Sequence, residues 1–356
     1  MSKKTAWNKA TTLAHQIHRY FWFKKDYKHR YKNLALNNIP LRRLTKEQKL
    51  EIKKVWGRLC LNDYATHELI YSITGDFNPY YCSALTFGTI LEFALNDDVY
   101  KEAWSDKNFF DLHFPNVKFP HTIIRNVCCS LYDHEYNEID TKRAIEILSA
   151  YNSVVIKPSR DTGTGRGVKL ISVDEATQSI QDSRMCDYLI QELLEQYEPI
   201  EELNPSSVNI IRLNSLFING KCSFLSASLR VGAAGSFTDN STTPDGRGII
   251  IIGITEDGTL KDHAYYPCGE RIEVLPSKVD YKGLKIPNFD KVKDLAQDIH
   301  RKMPFAKYVG FDIAFDKDGL PVVMEYNINA PGVFYYQLAN GPLFADRTSE
   351  IIETFS

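Results

Sequence analysis

The stretch VGFDIAFDKDGLPVVMEYNINAPG, residues 309–332, carries the strongest fold and site signal in the chain. Two apolar runs flank the Asp-Gly pair at 318–319, a dipeptide that favours a two-residue hairpin turn. With that turn Asp312 lies directly opposite Glu325, and such pairs have Cβ atoms about 4.5–5.5 Å apart. Asn327 shares the face of Glu325, because successive side chains of a strand point to opposite faces. The sequence therefore predicts that two carboxylates and an amide converge.

Converging carboxylates of this kind suggest a metal site. Two anions so close repel each other unless a cation lies between them, and oxygen ligands without cysteine or histidine favour Mg²⁺, with Mn²⁺ as an alternative. Asp312, Glu325 and Asn327 are the predicted metal ligands. A solvent-exposed strand face carries the same residue types, so that interpretation stays open. Pro321 cannot donate to the sheet, and a three-residue turn would reverse the two faces.

A second signal is Lys157, which ends the strand-like run SVVIK and precedes a glycine-rich loop. No Gly-Lys-Ser/Thr follows and the next run resembles a strand, so the loop is neither a Walker loop nor a dinucleotide fingerprint. Backbone N–H groups of such a loop can approach phosphates, to which Lys157 adds a point charge. A flexible hairpin is the alternative. The predicted phosphate-binding glycines are Gly163, Gly165 and Gly167.

Two further features point to a cleft between a small and a large domain. The run DYLIQELL ends at the expected junction, where ligand sites are preferred, and it is either a connector that offers its backbone to adenine or an ordinary strand end. Arg212 and Arg230 lie between apolar residues, where arginine is rare unless paired. Each can neutralise a transferring phosphate or an oxyanion, and pairing with local carboxylates is an equal alternative. The predicted adenine connector consists of Gln191, Glu192, Leu193 and Leu194.

The order of predicted elements indicates an α+β fold. Helical patterns dominate up to about residue 105, and a strand–loop–strand–helix–strand unit follows from Ser153, with Asp174 as the predicted N-cap of its helix. Helices segregated from antiparallel strands are typical of α+β architecture. The predicted domains are a basic helical segment at 1–60, a second N-terminal domain at 61–150, a small subdomain at 151–198 and a large catalytic subdomain at 199–356.

The composition of the 356 residues, with 43% hydrophobic and 12% aromatic residues, is that of a globular protein. No apolar run approaches the ~20 residues that span a bilayer, and the N-terminus lacks the apolar core of a secretory signal. The seven cysteines form no C-x-x-C pair, which predicts reduced cytosolic thiols. The nine histidines show no metal-ligand spacing. We therefore expect a cytoplasmic protein.

The net charge of −2 hides a strong asymmetry. Residues 1–58 contain 16 Lys and Arg and 3 Asp and Glu, a net of +13, whereas the remainder carries a net of −15. Apolar residues at three- and four-residue steps predict an amphipathic helix over 5–32, and Thr45 is the predicted N-cap of a second helix. The aromatic residues of the first helix are Trp7, Tyr20, Phe21, Trp22 and Phe23.

The positive charge of residues 1–58 predicts contact with an anionic partner. Basic residues near an anionic membrane contribute about 1 kcal/mol each, so the helix is a candidate for peripheral contact with the inner membrane face. A uronic-acid polymer is a second anionic partner, and packing of the segment on the acidic remainder, in a monomer or across a dimer, is an equal alternative. No base-reading motif supports nucleic acid.

Taken in this order, residues 105–345 resemble the ATP-grasp superfamily, in which two α+β subdomains grip ATP. The run from Glu325 to Gly332 is similar to the E-x-N-x-x-P-G signature of D-alanine–D-alanine ligases. The order Asn209-x-x-Arg212, Arg230, Asp239-Asn240 resembles ribosomal-protein glutamate ligases. The sugar-transfer associated ATP-grasp group, found with polysaccharide-assembly genes, is the most similar, on Ser207-Val208-Asn209, LRVG and Asp239-Asn240.

The resemblance implies an ATP-dependent ligase that forms an amide through an acylphosphate, with two Mg²⁺ ions. It adds Lys107 as a second phosphate-binding lysine, Glu198 as the nearest candidate for the ribose, and Asn240 as a catalytic residue. D-alanine ligases place an arginine two residues before the first metal aspartate, and that position is Gly310 here. The catalytic arginine is then Arg212 or Arg230.

The resemblance also implies the substrates: an amino acid or other amine, and a sugar carboxylate such as a uronic acid in a glycan or sugar nucleotide, in polysaccharide or capsule biosynthesis. One alternative is a small-molecule peptide ligase or phosphotransferase on the same scaffold. Another is a nucleotide-binding protein of glycan assembly that does not turn over. The complete Asp/Glu/Asn set favours an enzyme.

Overall fold

Two antiparallel sheets and a helical N-terminal region make up the fold, in a computed structural model that describes residues 3–160, 165–182, 184–238 and 246–355. The helices are α1 (Lys3–Leu36), α2 (Lys46–Trp56), α3 (Ala65–Thr74), α4 (Ala84–Thr86), α5 (Glu92–Leu95), α6 (Asp98–Ser105), α7 (Phe110–His113), α8 (Thr141–Leu148), α9 (Val173–Gln181), α10 (Glu198–Glu201), α11 (Phe289–Arg301), α12 (Phe334–Asn340) and α13 (Thr348–Phe355). A π-helical turn at Phe87–Leu91 joins α4 to α5.

The strands divide into a six-stranded and a seven-stranded sheet. They are β1 (Thr122–Val127), β2 (Ser130–Tyr132), β3 (Glu138–Ile139), β4 (Ser153–Pro158), β5 (Lys169–Ser172), β6 (Tyr188–Gln191), β7 (Ile210–Ile218), β8 (Lys221–Val231), β9 (Ile250–Ile254), β10 (Leu260–Tyr265), β11 (Arg271–Ile272), β12 (Tyr308–Phe315) and β13 (Pro321–Asn327). The strand orders are β3-β2-β1-β6-β4-β5 and β11-β10-β9-β8-β7-β12-β13. The predicted α+β class is confirmed. In the six-stranded sheet, β1, β2 and β3 precede residue 150 in the sequence, and β4, β5 and β6 follow it. The predicted domain boundaries stay predictions.

The ends of two helices test the predicted caps. Thr45 is the N-cap of α2, where its side chain accepts from Gln48 N–H and the Gln48 side chain accepts from the Thr45 N–H, as predicted for a capping residue. The prediction of Asp174 as the cap of α9 is wrong. Ser172 has the extended backbone of an N-cap and accepts from Glu175 N–H, which places Asp174 inside the first turn.

The β12–β13 hairpin differs from the predicted turn and still produces the predicted pair. Asp316 N–H donates to the Leu320 carbonyl and Gly319 N–H donates to the Asp316 carbonyl, so the turn has three residues and the predicted two-residue turn is wrong. A bulge then shifts the register between Ile313 and Asp312. The bulge adds one residue to β13, so Asp312 pairs with Glu325 as predicted.

The helix α1 is an integral part of the core. Tyr27 is 3% exposed and Leu34 is 2% exposed. The Tyr27 hydroxyl accepts from Leu85 N–H at 3.0 Å and donates to Asp63 at 3.2 Å. Packing of the segment within the monomer, one of the alternatives above, is therefore what the second half of α1 shows. No helix in the described ranges has the length and apolar character needed to cross a bilayer.

Two cysteines depart from the prediction of reduced thiols. Cys129 and Cys186 form a disulfide, with Cα atoms 4.8 Å apart. Cys129 follows β1 and Cys186 precedes β6, and these strands pair antiparallel, so the chain brings the two residues together from a separation of 57 positions. The prediction is wrong for this pair, because spacing along the sequence does not reveal which strands are neighbours.

Asn96 ties the N-terminal helices to the hairpin. Its side chain is fully buried, donates to the carbonyls of Tyr308 and Ile328 at 2.7 and 2.9 Å, and accepts from Tyr308 N–H at 2.9 Å. Three backbone groups on two sides of the hairpin thus depend on one amide.

We expect Asn96→Ala to lower the free energy of unfolding by about 2–4 kcal/mol, because it leaves buried backbone groups without partners. Urea unfolding followed by circular dichroism measures the change, with exposed Asn116→Ala as the control. A change no larger in the Asn96 variant than in the control would contradict this role.

Candidate active site

One cavity between the two sheets brings together nine of the predicted site residues. Its volume is about 130 Å³, below the roughly 300–1,000 Å³ typical of small-molecule pockets, so a nucleotide enters only if the walls move apart. The predicted residues that line it are Lys107, Lys157, Gly165, Gln191, Glu192, Leu193, Leu194, Asp312 and Glu325.

The two lysines reach this cavity from the six-stranded side and face a carboxylate of the seven-stranded sheet. Lys107 lies in a short 3-10 turn capped by Asp106, and its Nζ is 3.0 Å from Glu325 Oε1. Lys157, on β4, is 8% exposed. Burial and the charge of Lys107 lower the pKa of Lys157 to about 8, although Glu325 opposes the shift. Lys107 and Lys157 together form an electropositive site that can bind an anion.

Asp312 is held by two arginines. Arg212, opposite it on β7, donates Nε to Oδ1 at 2.5 Å and Nη2 to Oδ2 at 2.8 Å, a bidentate pair between buried groups. Arg230 Nη1, from β8, lies 3.5 Å from Asp312 Oδ1. Burial alone would raise the pKa of the Asp312 carboxyl, but the two guanidinium groups outweigh it and the pKa is lowered. Asp312 is therefore an anion.

Arg212 also occupies the space above Gly310. A Cβ atom built on Gly310 would lie 3.3 Å from Cδ and 3.4 Å from Nη1 of Arg212. The third donor of Arg212, Nη1, bonds the Pro331 carbonyl at 2.7 Å. An arginine from the neighbouring strand thus lies over Gly310.

The predicted metal ligands share one face of the hairpin. Asn327 Nδ2 donates to Asp312 Oδ2 at 3.1 Å, and Glu325 is paired across from Asp312. Oxygen donors of this kind suit Mg²⁺. Asp312 already accepts from Arg212, Arg230 and Asn327, so a cation there must replace at least one N–H donor. In the described part of the chain, no group of three or more His, Cys, Asp and Glu side chains is close enough to hold a metal ion.

The connector Gln191–Leu194 forms the inner wall of the cavity. Gln191 Nε2 donates to Thr122 Oγ1 at 2.9 Å and the Tyr151 hydroxyl donates to Glu192 at 3.1 Å, so side-chain contacts anchor the connector. Sequence reasoning missed the apolar walls. Strand alternation could have predicted that Val155 lines the cavity, because it lies two residues before Lys157 and therefore on the same strand face. The apolar lining residues include Val155, Val168, Val208, Ile210, Phe237 and Met324.

Among the described predicted residues, Arg212, Arg230, Asn327, Gly167 and Glu198 are absent from the lining of this cavity. Gly167 is exposed beside it and is absent from its lining, and Glu198 is exposed on α10. Gly163 and Asn240 lie outside the described residues.

Comparison with known proteins gives one extensive match. A family profile described as sugar-transfer associated ATP-grasp matches residues 106–353. No curated protein sequence matches the chain.

Several solved structures show a weaker likeness. They include the ATP-grasp ligase PsnB complexed with a minimal precursor, at 15% identity over 76% of this chain and 69% of that chain, with a TM-score of 0.42. The L-amino acid ligase from Bacillus licheniformis has 12% identity over 71% and 48%, with a TM-score of 0.38. The D-alanine–D-alanine ligase from Bacillus anthracis has 14% identity over 70% and 66%, also with a TM-score of 0.38. The chain thus spans about half the length of the L-amino acid ligase.

We expect nucleotide affinity to fall as the pH rises through about 8, the pKa of Lys157. Above that pH the free protein holds a neutral amine, so binding of phosphate must be accompanied by proton uptake, and affinity falls up to tenfold per pH unit. Titration of a fluorescent ATP analogue at pH 7 and pH 9 should show a loss of about tenfold.

Lys157→Met should bind weakly and lose this pH dependence, whereas the exposed Lys169→Met on the neighbouring strand should keep both the affinity and the pH dependence. Equal pH profiles for wild type and Lys157→Met would refute the assignment.

Proposed function

Because the chain belongs to the sugar-transfer associated ATP-grasp family, we propose that it is an ATP-dependent ligase that joins a carboxylate to an amine. The observation that supports the proposal is the convergence of Lys107, Lys157, Asp312 and Glu325 on one cavity between the two sheets. Phosphoryl transfer needs charge neutralisation and alignment more than covalent chemistry from the protein. Two lysines and two carboxylates around an apolar slot provide both.

The proposed reaction has two steps. A carboxylate oxygen attacks the γ-phosphorus of ATP, the bond from that phosphorus to the bridging oxygen of ADP breaks, and an acylphosphate forms. The amine then attacks the acyl carbon, and inorganic phosphate leaves with the C–O bond pair as the amine loses its proton. The sum is one amide, one ADP and one phosphate.

ATP is proposed to lie between the sheets. Lys157 and Lys107 bind its phosphates, and the backbone at Gly165, which has a positive φ of 68°, lies beside them. The backbone of the connector Gln191–Leu194 contacts the adenine, whose ring packs between Val155 and Ile210 from opposite sheets. The roles of Gly163, Gly167 and Glu198 stay predictions from the resemblance.

Asp312, Glu325 and Asn327 are proposed to hold Mg²⁺, two ions as the resemblance implies, which would supply positive charge to the transferring phosphoryl group. ATP-grasp enzymes generally use ATP with Mg²⁺, and Mn²⁺ shares the oxygen preference. The chain's own contribution is to keep Asp312 ionised through Arg212 and to hold Glu325 near Lys107.

The two arginines are proposed to have different roles. The Nε, Nη1 and Nη2 donors of Arg212 are engaged by Asp312 and the Pro331 carbonyl at 2.5–2.8 Å, so Arg212 is a positioning residue. The contacts of Arg230 with Asp312 and with the Tyr336 hydroxyl are each 3.5 Å, at the limit of a hydrogen bond. Through these contacts Arg230 lies between Asp312 and the Tyr336 hydroxyl, where a substrate carboxylate can approach it. Arg230 is therefore the proposed ligand of the carboxylate and of the later oxyanion.

The proposed substrates are an amino acid and a sugar carboxylate, such as a uronic acid in a glycan or sugar nucleotide, in polysaccharide or capsule biosynthesis. The support is the sugar-transfer description of the family that the chain matches.

We expect the purified protein to form ADP and phosphate from ATP and Mg²⁺ only when both a uronic acid and an amine are present. Mass spectrometry should show a product lighter by one water than its two parts. Glu325→Gln should lower turnover by at least about a hundredfold, since the lost charge acts on the transition state. The exposed Glu273→Gln is the matched control.

Other outcomes separate the competing functions. Phosphate on the sugar without an amide would indicate a phosphotransferase, an amide between two amino acids would indicate a peptide ligase, and bound ATP without turnover would indicate a binding protein. Full activity in Glu325→Gln would refute the site assignment.

We further infer that α1 contacts an anionic membrane surface at the cytoplasmic side. Three apolar residues on one side of the helix are exposed, Leu13 by 56%, Ile17 by 50% and Tyr20 by 41%. The exposed lysines Lys25 and Lys28 flank this surface further along α1. Apolar contact combined with basic charge is typical of interfacial helices.

We expect the full chain to sediment with vesicles that contain phosphatidylserine and to remain in solution with phosphatidylcholine alone. Added salt should weaken the association, because the charges are screened. Leu13→Ser with Ile17→Ser should reduce the bound fraction severalfold, whereas Val274→Ser, which removes an equally exposed apolar residue elsewhere, should not. Unchanged sedimentation of the double variant would remove the membrane proposal.

A further inference from the structure

A second cavity lies between α1, the π-helical turn and the segment that leads into α12. Its volume is about 340 Å³, within the roughly 300–1,000 Å³ of small-molecule pockets. Aromatic side chains dominate its lining, among them Trp22 and Phe23 of α1 and Tyr335 and Tyr336 of α12. Trp22 and Phe23, two aromatic residues that suggest a membrane contact in the sequence, thus line a cavity.

Arg30 supplies the charged part of this lining. Its Nε donates to Asp26 Oδ2 at 2.6 Å, and its guanidinium lies 4.3 Å from the ring centre of Phe334 and 4.6 Å from that of Tyr335. Its Nη1 is buried and has no hydrogen-bond partner among the described residues. A buried charged donor without an acceptor is costly, and an oxygen of a ligand in the cavity would satisfy it.

Arg230 lies between residues that line the two cavities. Arg230 Nη1 lies 3.5 Å from Asp312, which lines the first cavity, and 3.5 Å from the hydroxyl of Tyr336, which lines the second. The Arg212 guanidinium is 5.3 Å from the Tyr336 ring centre. A carboxylate beside the Tyr336 hydroxyl is therefore near Arg230, at the end of the second cavity that is nearest to Asp312.

The second cavity also opens outward along α1. His18 and Arg19 line both this cavity and a larger cleft of about 1400 Å³. Arg19 donates to Glu92 at 2.5 Å and to Asn329 at 2.8 Å, and Glu92 accepts from Ala330 N–H at 2.8 Å. The helix is thereby fixed to the loop that follows Asn327, and a substrate larger than one sugar ring has a path out.

We propose that this second cavity binds the carboxylate substrate, a sugar acid, and that α1 forms one of its walls. The carboxylate lies at Arg230 and Tyr336, the ring packs against Trp22, and a hydroxyl oxygen accepts from Arg30 Nη1. Flat aromatic faces suit the C–H surface of a sugar ring, and guanidinium donors suit its oxygens. The assignment rests on the proposed ligase function.

The test uses the full chain, with D-glucuronate as the probe and D-glucose as its uncharged counterpart, in calorimetric or saturation-transfer NMR titrations. Wild type should bind D-glucuronate at least about tenfold more tightly than D-glucose. Trp22→Ala and Arg30→Lys should each weaken D-glucuronate binding at least about fivefold. Phe21→Ala removes an adjacent aromatic residue that is 66% exposed and outside this cavity, and it should have no effect.

Two controls keep the outcomes separate. Trp22 is 53% exposed, so its replacement does not endanger folding as a change at Arg30 does. Nucleotide titration of each variant should give wild-type affinity. Absence of D-glucuronate binding, or equal binding in all variants while nucleotide still binds, would overturn this inference alone. Failure of wild type to bind nucleotide would instead overturn the proposed ligase function.

Discussion

The buried ion pair between Arg212 and Asp312 organises the site, because it joins three segments that would otherwise be independent. The side chains are each 7% exposed, two hydrogen bonds connect β7 to β12, and the remaining donor of Arg212 holds the Pro331 carbonyl. Removing one partner of such a pair costs about 3–5 kcal/mol, since a charge is left buried alone. With the hairpin held against β7, Glu325 is presented toward Lys107 from the opposite sheet.

The hairpin shows how far the sequence predicts this site. Alternation along two apolar runs is enough to pair Asp312 with Glu325. The length of the turn and the position of the bulge that produce this pairing are not predictable from the sequence. Asp316 Oδ1 accepts from Asp318 N–H and Leu320 N–H, and these side-chain contacts favour a three-residue turn that an Asp-Gly preference does not reveal. The bulge in β13 adds the compensating residue. The turn has one residue more than predicted, and the bulge shifts the register by one residue in the opposite direction. The pairing of Asp312 with Glu325 is therefore correct although the predicted turn is wrong.

The residues proposed to bind phosphate and metal could be selected from the sequence because their positions are unusual: a lysine at a strand end, arginines between apolar residues, and acids on one strand face. The second cavity has no such signal. Arg19 and Asn329 meet across 310 positions, and amphipathic periodicity in α1 indicates that one face is buried without indicating its partner. The second cavity depends on tertiary packing alone, which explains why the sequence suggests a detachable basic arm.

The charge asymmetry has a physical explanation in that packing. Three acids beyond the basic segment are almost fully buried, each less than 6% exposed, and each is paired with a cation of that segment. The pairs are Lys24 with Asp63 at 3.3 Å, Arg43 with Glu68 at 2.6 Å and Arg19 with Glu92 at 2.5 Å. A buried carboxylate without its cation must take up a proton or destabilise the fold. Part of the positive charge therefore compensates acids that follow the basic segment, and exposed cations such as Lys25, Lys28, Lys53 and Lys54 remain for an external anion. The segment is thus a structural component of the fold, and its helix α1 also lines the second cavity.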